Sequence, residues 1–297
     1  MWLVFNMAST FFWAWVNVLD SMLVRRYEKN PVVLMWAQSL ISVPILILFA
    51  LFFDVKTPWM WALMAGGLGA YGGDLVFFSI LGRLDASITN AAWAIMAILL
   101  SIVGFIFFKE TWSILQTLGT ILILTSVLVL AFWHKHISFL RTFGLLFFLA
   151  ACYVPTYSLK KAAVFDGQPA FAVFFWLVLS RELMAFLFPW SIRSLRERIM
   201  TLRHRISSHF FVIGGLIIVL FFLGEYLGAK AYQVGTISLV AVSSNVQPFM
   251  VITLAWLLSK YLPSLAPREL LTAHSVAIKL IGFLGVFVGL ALLSFSL

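Results

Sequence analysis

The sequence predicts an all-α integral membrane protein with ten transmembrane helices in two inverted five-helix repeats. Three observations predict it: the composition, the number of long apolar segments and an internal repeat. Of the 297 residues, 63% are hydrophobic and 10% are charged. A soluble domain is about half apolar and about a quarter charged. With a mean hydropathy of +1.06, this chain has too few charged side chains to cover a water-soluble globule.

Ten segments are long and apolar enough to cross a bilayer, which takes about 20 residues of helix. The predicted spans are 2–22, 31–53, 59–81, 86–107, 112–132, 139–159, 169–189, 209–230, 236–259 and 274–295. The first lacks the basic region and cleavage site of a removable signal peptide, so we expect it to remain as a span. Short connections leave no soluble domain, and the chain is expected to be a multi-pass protein of the cell (inner or plasma) membrane.

The longest connection, 191–208, carries five Arg among Ile, Leu and Met. This pattern predicts an amphipathic helix at the membrane interface.

The chain repeats itself. A shift of 136 positions aligns Phe11-Phe12 with Phe147-Phe148, and a shift of 151 aligns Gly73-Asp74 with Gly224-Glu225. The predicted repeats are 1–135 and 136–297, with five helices each. An odd number of spans per repeat gives the two halves opposite orientations, which is the architecture of many secondary transporters.

Composition also argues against several classes of site. The single cysteine, Cys152, excludes a disulfide framework and a thiolate metal cluster. The one close histidine pair, His134 and His136, is a weak metal candidate, and the chain has no phosphate-binding Gly-Lys-Ser/Thr loop. We therefore expect no metal or other cofactor. The net charge is +9, and the Lys and Arg residues lie between the apolar segments. This distribution favours loops that face anionic lipid over a nucleic-acid partner.

Two acidic residues are the strongest functional candidates. Asp74 and Glu225 each lie inside a span, each follow a glycine and are equivalent under the repeat. An ionisable side chain at mid-bilayer costs about 2.5 kcal/mol or more and usually has a function. The pair is predicted to take up protons or bind a cationic group. The alternative is a pair of structural acids bonded to Lys, Arg or Tyr of neighbouring helices.

Polar residues form a stripe on the first span. Asn6, Thr10, Trp13, Asn17 and Asp20 follow one another at intervals of four, three, four and three residues, which places them on one helical face. Such a stripe predicts the lining of a cavity, with hydrogen bonding between helices as the alternative. For Asp20 the alternative is contact with lipid headgroups.

The equivalent face of the sixth span carries Tyr153, Thr156, Tyr157 and Lys160. The remaining candidate substrate contacts are Tyr71, Asn90, Trp93, Tyr226, Ser244 and Gln247. The tyrosines at 71 and 226 lie near the two acids, where they would form aromatic walls or hydrogen-bond the carboxylates.

A charged doublet, Arg181-Glu182, lies within the seventh span. Neighbouring residues on a helix point about 100° apart, so the two are not expected to pair with each other. We expect Arg181 to be structural, bonded to loop carbonyls or to a nearby acid.

Several motifs together resemble the ten-helix EamA-type form of the drug/metabolite transporter superfamily. They are Phe12-Trp13-Ala14, Leu23-Val24-Arg25-Arg26, the turn from Leu81 to Ser87, Lys109-Glu110-Thr111 with Gly119, and Pro248 with Gly282. The resemblance implies a central cavity lined by spans one, three, four, six, eight and nine. It points to Trp93, Ser244 and Gln247 as contacts. Ala97 and Tyr261 depart from the family pattern, which often has proline and glutamate there.

Orientation is predicted differently by charge and by resemblance. Loops after odd-numbered spans hold thirteen Lys and Arg, whereas loops after even-numbered spans hold five. The five are Lys56, Lys109, Lys160, Lys161 and Lys230. The positive-inside rule then predicts both termini outside, whereas the family is usually drawn with both inside.

These observations favour a secondary-active transporter, functional as a monomer, that moves a small organic metabolite by alternating access. An amino acid or a related zwitterion or amine is the favoured substrate, with protons as candidate coupling ions at Asp74 and Glu225. The alternative is a lipid-phosphate flippase, which would need basic residues deep in a groove. Those available are Lys160, Lys161, Arg181, Lys230 and Lys279. An enzyme is not expected, since no clustered His, Ser and Asp constellation is present.

Overall fold

A computed structural model gives the fold and describes residues 1–81, 89, 92–132, 139–203, 207–261 and 273–294. Several predicted features lie outside the described residues. They are the turn motif 82–87, Asn90, the pair His134 and His136, and the side chain of Lys279.

The described residues form helices joined by short connections and include no strand. In chain order the helices are α1 (Trp2–Arg26), α2 (Pro31–Phe52), α3 (Met60–Leu81), α4 (Ala92–Phe107), α5 (Ile114–Phe132), α6 (Phe139–Phe165), α7 (Ala170–Leu187), α8 (Arg193–Arg203), α9 (Ser208–Val234), α10 (Ile237–Ser243), α11 (Gln247–Tyr261) and α12 (Ala273–Ser294). Short 3₁₀ turns, Phe188–Ser191 and Ser244–Val246, follow α7 and α10.

Within the described residues, seven helical segments are long and apolar enough to cross a membrane: α1, α2, α3, α6, α7, α9 and the segment that joins α10 to α11 through the Ser244–Val246 turn. Shorter apolar helices lie in α4, α5 and α12. They correspond in order to the ten predicted spans. The predicted class, an all-α integral membrane protein, is confirmed. The predicted amphipathic helix is also found as α8, with Ile199 and Leu202 buried and Arg193 and Arg196 exposed.

Two spans differ from their predicted form. The prediction that the sixth span ends at 159, with Lys160 and Lys161 in the next loop, is wrong because α6 continues to Phe165 and buries both lysines. The ninth span is broken between α10 and α11. Pro248 has no N–H to bond the carbonyl of Ser244, so the backbone turns there, and the Gln247 N–H bonds the Ser244 carbonyl instead.

Helix starts and contacts fix the two ends of the bundle. Asn30 caps α2 by accepting hydrogen bonds from Val32 N at 3.0 Å and Val33 N at 3.3 Å. At the opposite end, which we call the amino-terminal end, Gly235 lies against Trp2. Short turns at the two ends of the bundle therefore join successive helices.

The helices pack in reciprocal pairs across the two predicted halves. α1 packs on α9, and α3 packs on α6. α2 packs on α7, α4 on α10 and α5 on α12. Exchanging each helix for its repeat counterpart would leave this pairing unchanged.

Glycines allow α3 to approach α7 closely. A Cβ on Gly67 would lie 2.8 Å from Ser180 Cβ and 3.2 Å from Arg181 N, and the α7 backbone cannot move aside cheaply. At this contact the Ser180 hydroxyl donates to the Met64 carbonyl at 2.6 Å.

Gly67→Ala is therefore expected to lower the free energy of unfolding by about 1–3 kcal/mol, the usual range for an overpacked contact. The measurement is thermal unfolding of the detergent-solubilised protein. Gly72→Ala on the same helix is the control, because its nearest atom is Cys152 Sγ at 4.0 Å. Equal unfolding midpoints for the two variants would contradict the close contact.

Candidate functional site

A cavity of about 50 Å³ lies between α1, α4, α6, α9 and the break between α10 and α11. We call it the central cavity. Its polar lining residues are Asn6, Ser9, Thr10, Trp13, Trp93, Tyr153, Tyr157, Lys160, Glu225, Tyr232, Ser244 and Gln247. Both predicted halves of the chain contribute to this lining.

A buried ion pair forms part of the wall of the central cavity. Lys160 Nζ lies 2.6 Å from Glu225 Oε2, and the lysine side chain is 1% exposed. The ammonium also lies 4.6 Å from the centre of the Tyr157 ring and 6.0 Å from that of Tyr232. Ring faces attract cations, so the lysine is held by one carboxylate and two aromatic rings.

The break in the ninth span brings polar groups to the same cavity. Asn6 Nδ2 donates to Ser243 Oγ at 2.7 Å and to the Val240 carbonyl at 3.0 Å, while Ser244 Oγ donates to Asn6 Oδ1 at 3.1 Å. Gln247 Nε2 is buried and has no hydrogen-bond partner among the described residues. A bound ligand with an acceptor atom would satisfy this donor.

A second cavity, of about 20 Å³, lies beside the first, and we call it the acidic cavity. Its polar lining residues are Trp13, Asn17, Asp20, Gln38, Asp74, Trp93, Tyr153 and Arg181. A third cavity of similar volume contacts both Asp74 and Glu225. Trp13 and Tyr153 line all three cavities, so these two side chains separate one space from the next.

The Arg181 guanidinium bonds two acidic side chains at the acidic cavity. Arg181 Nε donates to Asp74 Oδ2 and Arg181 Nη1 donates to Glu182 Oε1. The Tyr153 hydroxyl donates to Asp74 Oδ1, and the Ser42 hydroxyl donates to Glu182 Oε2 at 2.5 Å.

The structure corrects one sequence prediction at this cluster and supports another. The prediction that Arg181 and Glu182 do not pair is wrong: the long arginine side chain lets its head group reach the neighbouring carboxylate despite the divergent Cβ positions. The prediction that Arg181 bonds a nearby acid is confirmed by its contact with Asp74.

Asp20 is also part of this arrangement. It is 5% exposed, and its Oδ1 accepts a hydrogen bond from Gln38 Nε2 at 2.8 Å. The alternative that Asp20 meets lipid headgroups is therefore wrong, because α1 packs that face against the bundle.

Nine of the twelve predicted substrate contacts line these cavities: Trp13, Asn17, Asp74, Trp93, Tyr153, Tyr157, Glu225, Ser244 and Gln247. Asn90 lies outside the described residues. Tyr71 packs its ring against Phe188 and its buried hydroxyl has no hydrogen-bond partner among the described residues. Tyr226 packs against Phe171 and Phe174. Of the two alternatives predicted for Tyr71, an aromatic wall or a hydrogen bond to a carboxylate, the hydrogen bond is therefore not formed.

Sequence reasoning missed a polar clamp at the amino-terminal end of the bundle. Lys161 Nζ donates to the carbonyls of Tyr232, at 3.0 Å, and Gly235, at 2.7 Å, where α9 ends. Glu110 Oε1 accepts from Ile237 N at 2.6 Å, where α10 begins. Each charge matches the helix end that it contacts. The Lys109-Glu110-Thr111 motif could have indicated this clamp. Its partner at the start of α10, Ile237, is 127 residues from Glu110 along the chain, so the sequence does not indicate that contact.

The helices and buried cavities together define an α-helical, multi-pass membrane protein with internal polar sites. Residues 1–132 match the model of the EamA-like transporter family. This match confirms the predicted resemblance to EamA-type transporters over residues 1–132.

Two further comparisons agree with this class. The chain is 39% identical over 62 residues to "Uncharacterized membrane protein YvaE" of Bacillus subtilis (strain 168), a match that covers 20% of this chain and 52% of YvaE. The chain thus spans about half the length of that curated relative. A protein of known crystal structure is similar with a TM-score of 0.66 at 17% identity, over 98% of this chain and 96% of the other. At that identity the likeness shows the fold.

Proposed function

We propose that the chain is a secondary-active transporter that moves a small organic metabolite by alternating access through the central cavity. The observation that carries the proposal is the buried Lys160–Glu225 pair on the wall of a cavity lined by both halves. Ionisable residues inside membranes are costly, and they commonly mark substrate pathways. The proposal makes the chain a transporter and not an enzyme, active as a monomer and without a cofactor.

The favoured substrate is an amino acid or a related zwitterion or amine. A lone anion at Lys160 would leave Glu225 unpaired, and a lone cation at Glu225 would leave Lys160 unpaired. Unpaired buried charges are strongly unfavourable. A zwitterion replaces the one ion pair with two and leaves neither charge unpaired, while Gln247 Nε2 offers an additional donor to its carboxylate.

Alternating access would use the two inverted repeats, 1–135 and 136–297. The reciprocal helix pairs support this division, since the packing of α1 on α9 is matched by that of their predicted repeat counterparts, α6 on α3. The clamp formed by Lys161 and Glu110 would hold the amino-terminal end closed. Tyr232 connects the clamp to the central cavity, because it lines the cavity and its carbonyl accepts a hydrogen bond from Lys161.

Proton coupling through Asp74 and Glu225 is a further part of the proposal. Each carboxylate has a cationic partner, Arg181 or Lys160. Protonation of either carboxylate would weaken its ion pair and free the cation to change partner, which would link proton uptake to movement between states.

Counterflow in proteoliposomes tests the transport proposal. Vesicles are loaded with an unlabelled amino acid, amine, nucleoside or sugar phosphate, and the uptake of the labelled compound is followed against protein-free vesicles. We expect counterflow of a zwitterion or amine that is lost in Glu225→Gln and retained in Glu197→Gln, an exposed acid on α8. Absence of counterflow for every compound would contradict the proposal.

The same counterflow assay, repeated over a range of pH, tests proton coupling. If Asp74→Asn and Glu225→Gln both transport at the rate of the unaltered protein at every pH, proton coupling is wrong. Transport by alternating access would then stand, but without proton coupling and without a role for Glu225 in substrate binding.

The flippase alternative is not favoured. Four of its five candidate basic residues have partners: Lys160 binds Glu225, Lys161 binds backbone carbonyls, Arg181 binds two acids and Lys230 donates to Gln233. Scrambling of an anionic lipid by the reconstituted protein, without counterflow of any soluble compound, would favour the flippase instead.

A further inference from the structure

The amphipathic helix α8 is fixed to the end of the bundle opposite Trp2 and Gly235. Its Ile199 and Leu202 side chains are buried, and Arg198 Nη2 lies 3.1 Å from Glu28 Oε1 in the α1–α2 turn. The same Glu28 oxygen accepts a hydrogen bond from Asn30 N at 2.7 Å. The helix is therefore docked by an apolar face and an ion pair, which leaves its other face outward.

Positive charge is concentrated at this end. The exposed basic residues on α8, at the end of α1 and in the α1–α2 turn are Arg25, Arg26, Lys29, Arg193, Arg196 and Arg198. The acids there are Glu28, whose side chain is 11% exposed, and Glu197. We call this surface the basic face.

The amino-terminal end differs in charge. Its basic residues that are not buried, within the described residues, are Lys56, Lys109 and Lys230, and they lie among the acids Asp54, Glu110 and Asp166. Lys160 and Lys161, which sequence counting assigned to loops at this end, are buried and bonded. Three of the five lysines that sequence counting assigns to this end are therefore not buried, whereas all six basic residues of the basic face are exposed.

The basic face also carries apolar side chains suited to a membrane interface. Trp190, Ile192 and Met200 are 38%, 39% and 50% exposed beside the arginines. Tryptophan is enriched at the interface. Interfacial helices combine buried apolar area with electrostatic attraction to anionic lipids.

We propose that the basic face binds the phosphate headgroups of anionic phospholipids. Arginine suits this role because its planar guanidinium can bond two phosphate oxygens at once. Five arginines and one lysine compose the face. The connection between α7 and α9 holds α8 where headgroups of the surrounding bilayer lie.

Lipid-dependent thermal unfolding of the full chain in detergent tests this proposal. Phosphatidylglycerol is expected to raise the unfolding midpoint more than phosphatidylcholine with the same acyl chains. The difference should disappear in 1 M salt, where charges are screened beyond about 3 Å. A basic residue near an anionic surface strengthens binding about fivefold, so Arg193→Gln/Arg196→Gln should raise the phosphatidylglycerol concentration for half-maximal shift about 25-fold.

Matched variants keep the outcomes separate. Arg193→Lys/Arg196→Lys retains the charge and should retain most of the shift, and Lys56→Gln/Lys230→Gln at the other end should leave it unchanged. Arg198 is left intact because it docks α8. An equal shift with phosphatidylcholine, an equal effect of soluble glycerol phosphate, or an equal loss in the Lys56/Lys230 variant would overturn the proposal.

Discussion

Replacement of Lys160 by methionine is expected to lower the free energy of unfolding by about 3–5 kcal/mol, the usual cost of removing one partner of a buried ion pair. The reason is that Glu225 would stay buried without its cation. Lys160 is 1% exposed and the Glu225 side chain is 11% exposed, so the carboxylate would lose its cation inside the bundle. Thermal unfolding in detergent measures stability, and counterflow, which we expect to be abolished, measures transport.

The double variant Lys160→Met/Glu225→Gln separates charge from packing. It leaves no unpaired charge, so it should regain much of the stability lost in Lys160→Met while remaining inactive in counterflow. Lys161→Met is the matched control, since it removes hydrogen bonds to two carbonyls but leaves no carboxylate unpaired. Should Lys160→Met unfold at the same temperature as the unaltered protein, the ion pair does not hold the helices as described.

Arg181→Gln is expected to destabilise the protein at least as strongly, by about 3–5 kcal/mol or more. The guanidinium bonds Asp74 and Glu182 at once, and Asp20 lines the same acidic cavity. Without it, several carboxylates share a buried space with no cation in the lining described above. Arg181→Lys should recover only part of the stability, because a single ammonium does not reproduce the two-sided geometry of a guanidinium.

Removal of one acid provides the matched test. In the Arg181→Gln background, Asp74→Asn should restore stability, whereas the same asparagine substitution in the unaltered protein should reduce it. This change of sign distinguishes electrostatic pairing from simple packing of the arginine stem against Phe221, whose ring centre lies 4.5 Å from the guanidinium carbon. If Asp74→Asn is destabilising in both backgrounds, charge pairing does not explain the role of Arg181.

Features set by local order along the chain were predictable from the sequence. The composition and the lengths of the apolar segments determine the membrane class, because a bilayer demands about 20 apolar residues for each helix. The stripe of Asn6, Thr10 and Asn17 on α1 follows from helical spacing alone, and these residues do line the two cavities. The positions of Asp74 and Glu225 within spans are likewise set by the sequence.

Partner choice was decided only by the tertiary structure. Asp74 and Glu225 are equivalent under the predicted repeat, yet one pairs with Arg181 on α7 and the other with Lys160 on α6. Those pairs are 107 and 65 residues apart, and spacing along one helix carries no information about such contacts. The sequence analysis places Lys160 in a loop, whereas its carboxylate partner offsets part of the cost of burying the lysine within α6.

The rotation of each helix about its axis is the other feature that packing decides. Tyr71 lies one turn from Asp74 and Tyr226 lies next to Glu225, yet neither lines the cavities described here. The sequence by itself determined the spans, the buried acids and the polar face of α1, because these depend on length and helical period. Only the tertiary structure decided which cation meets which acid, since that depends on how separate helices dock.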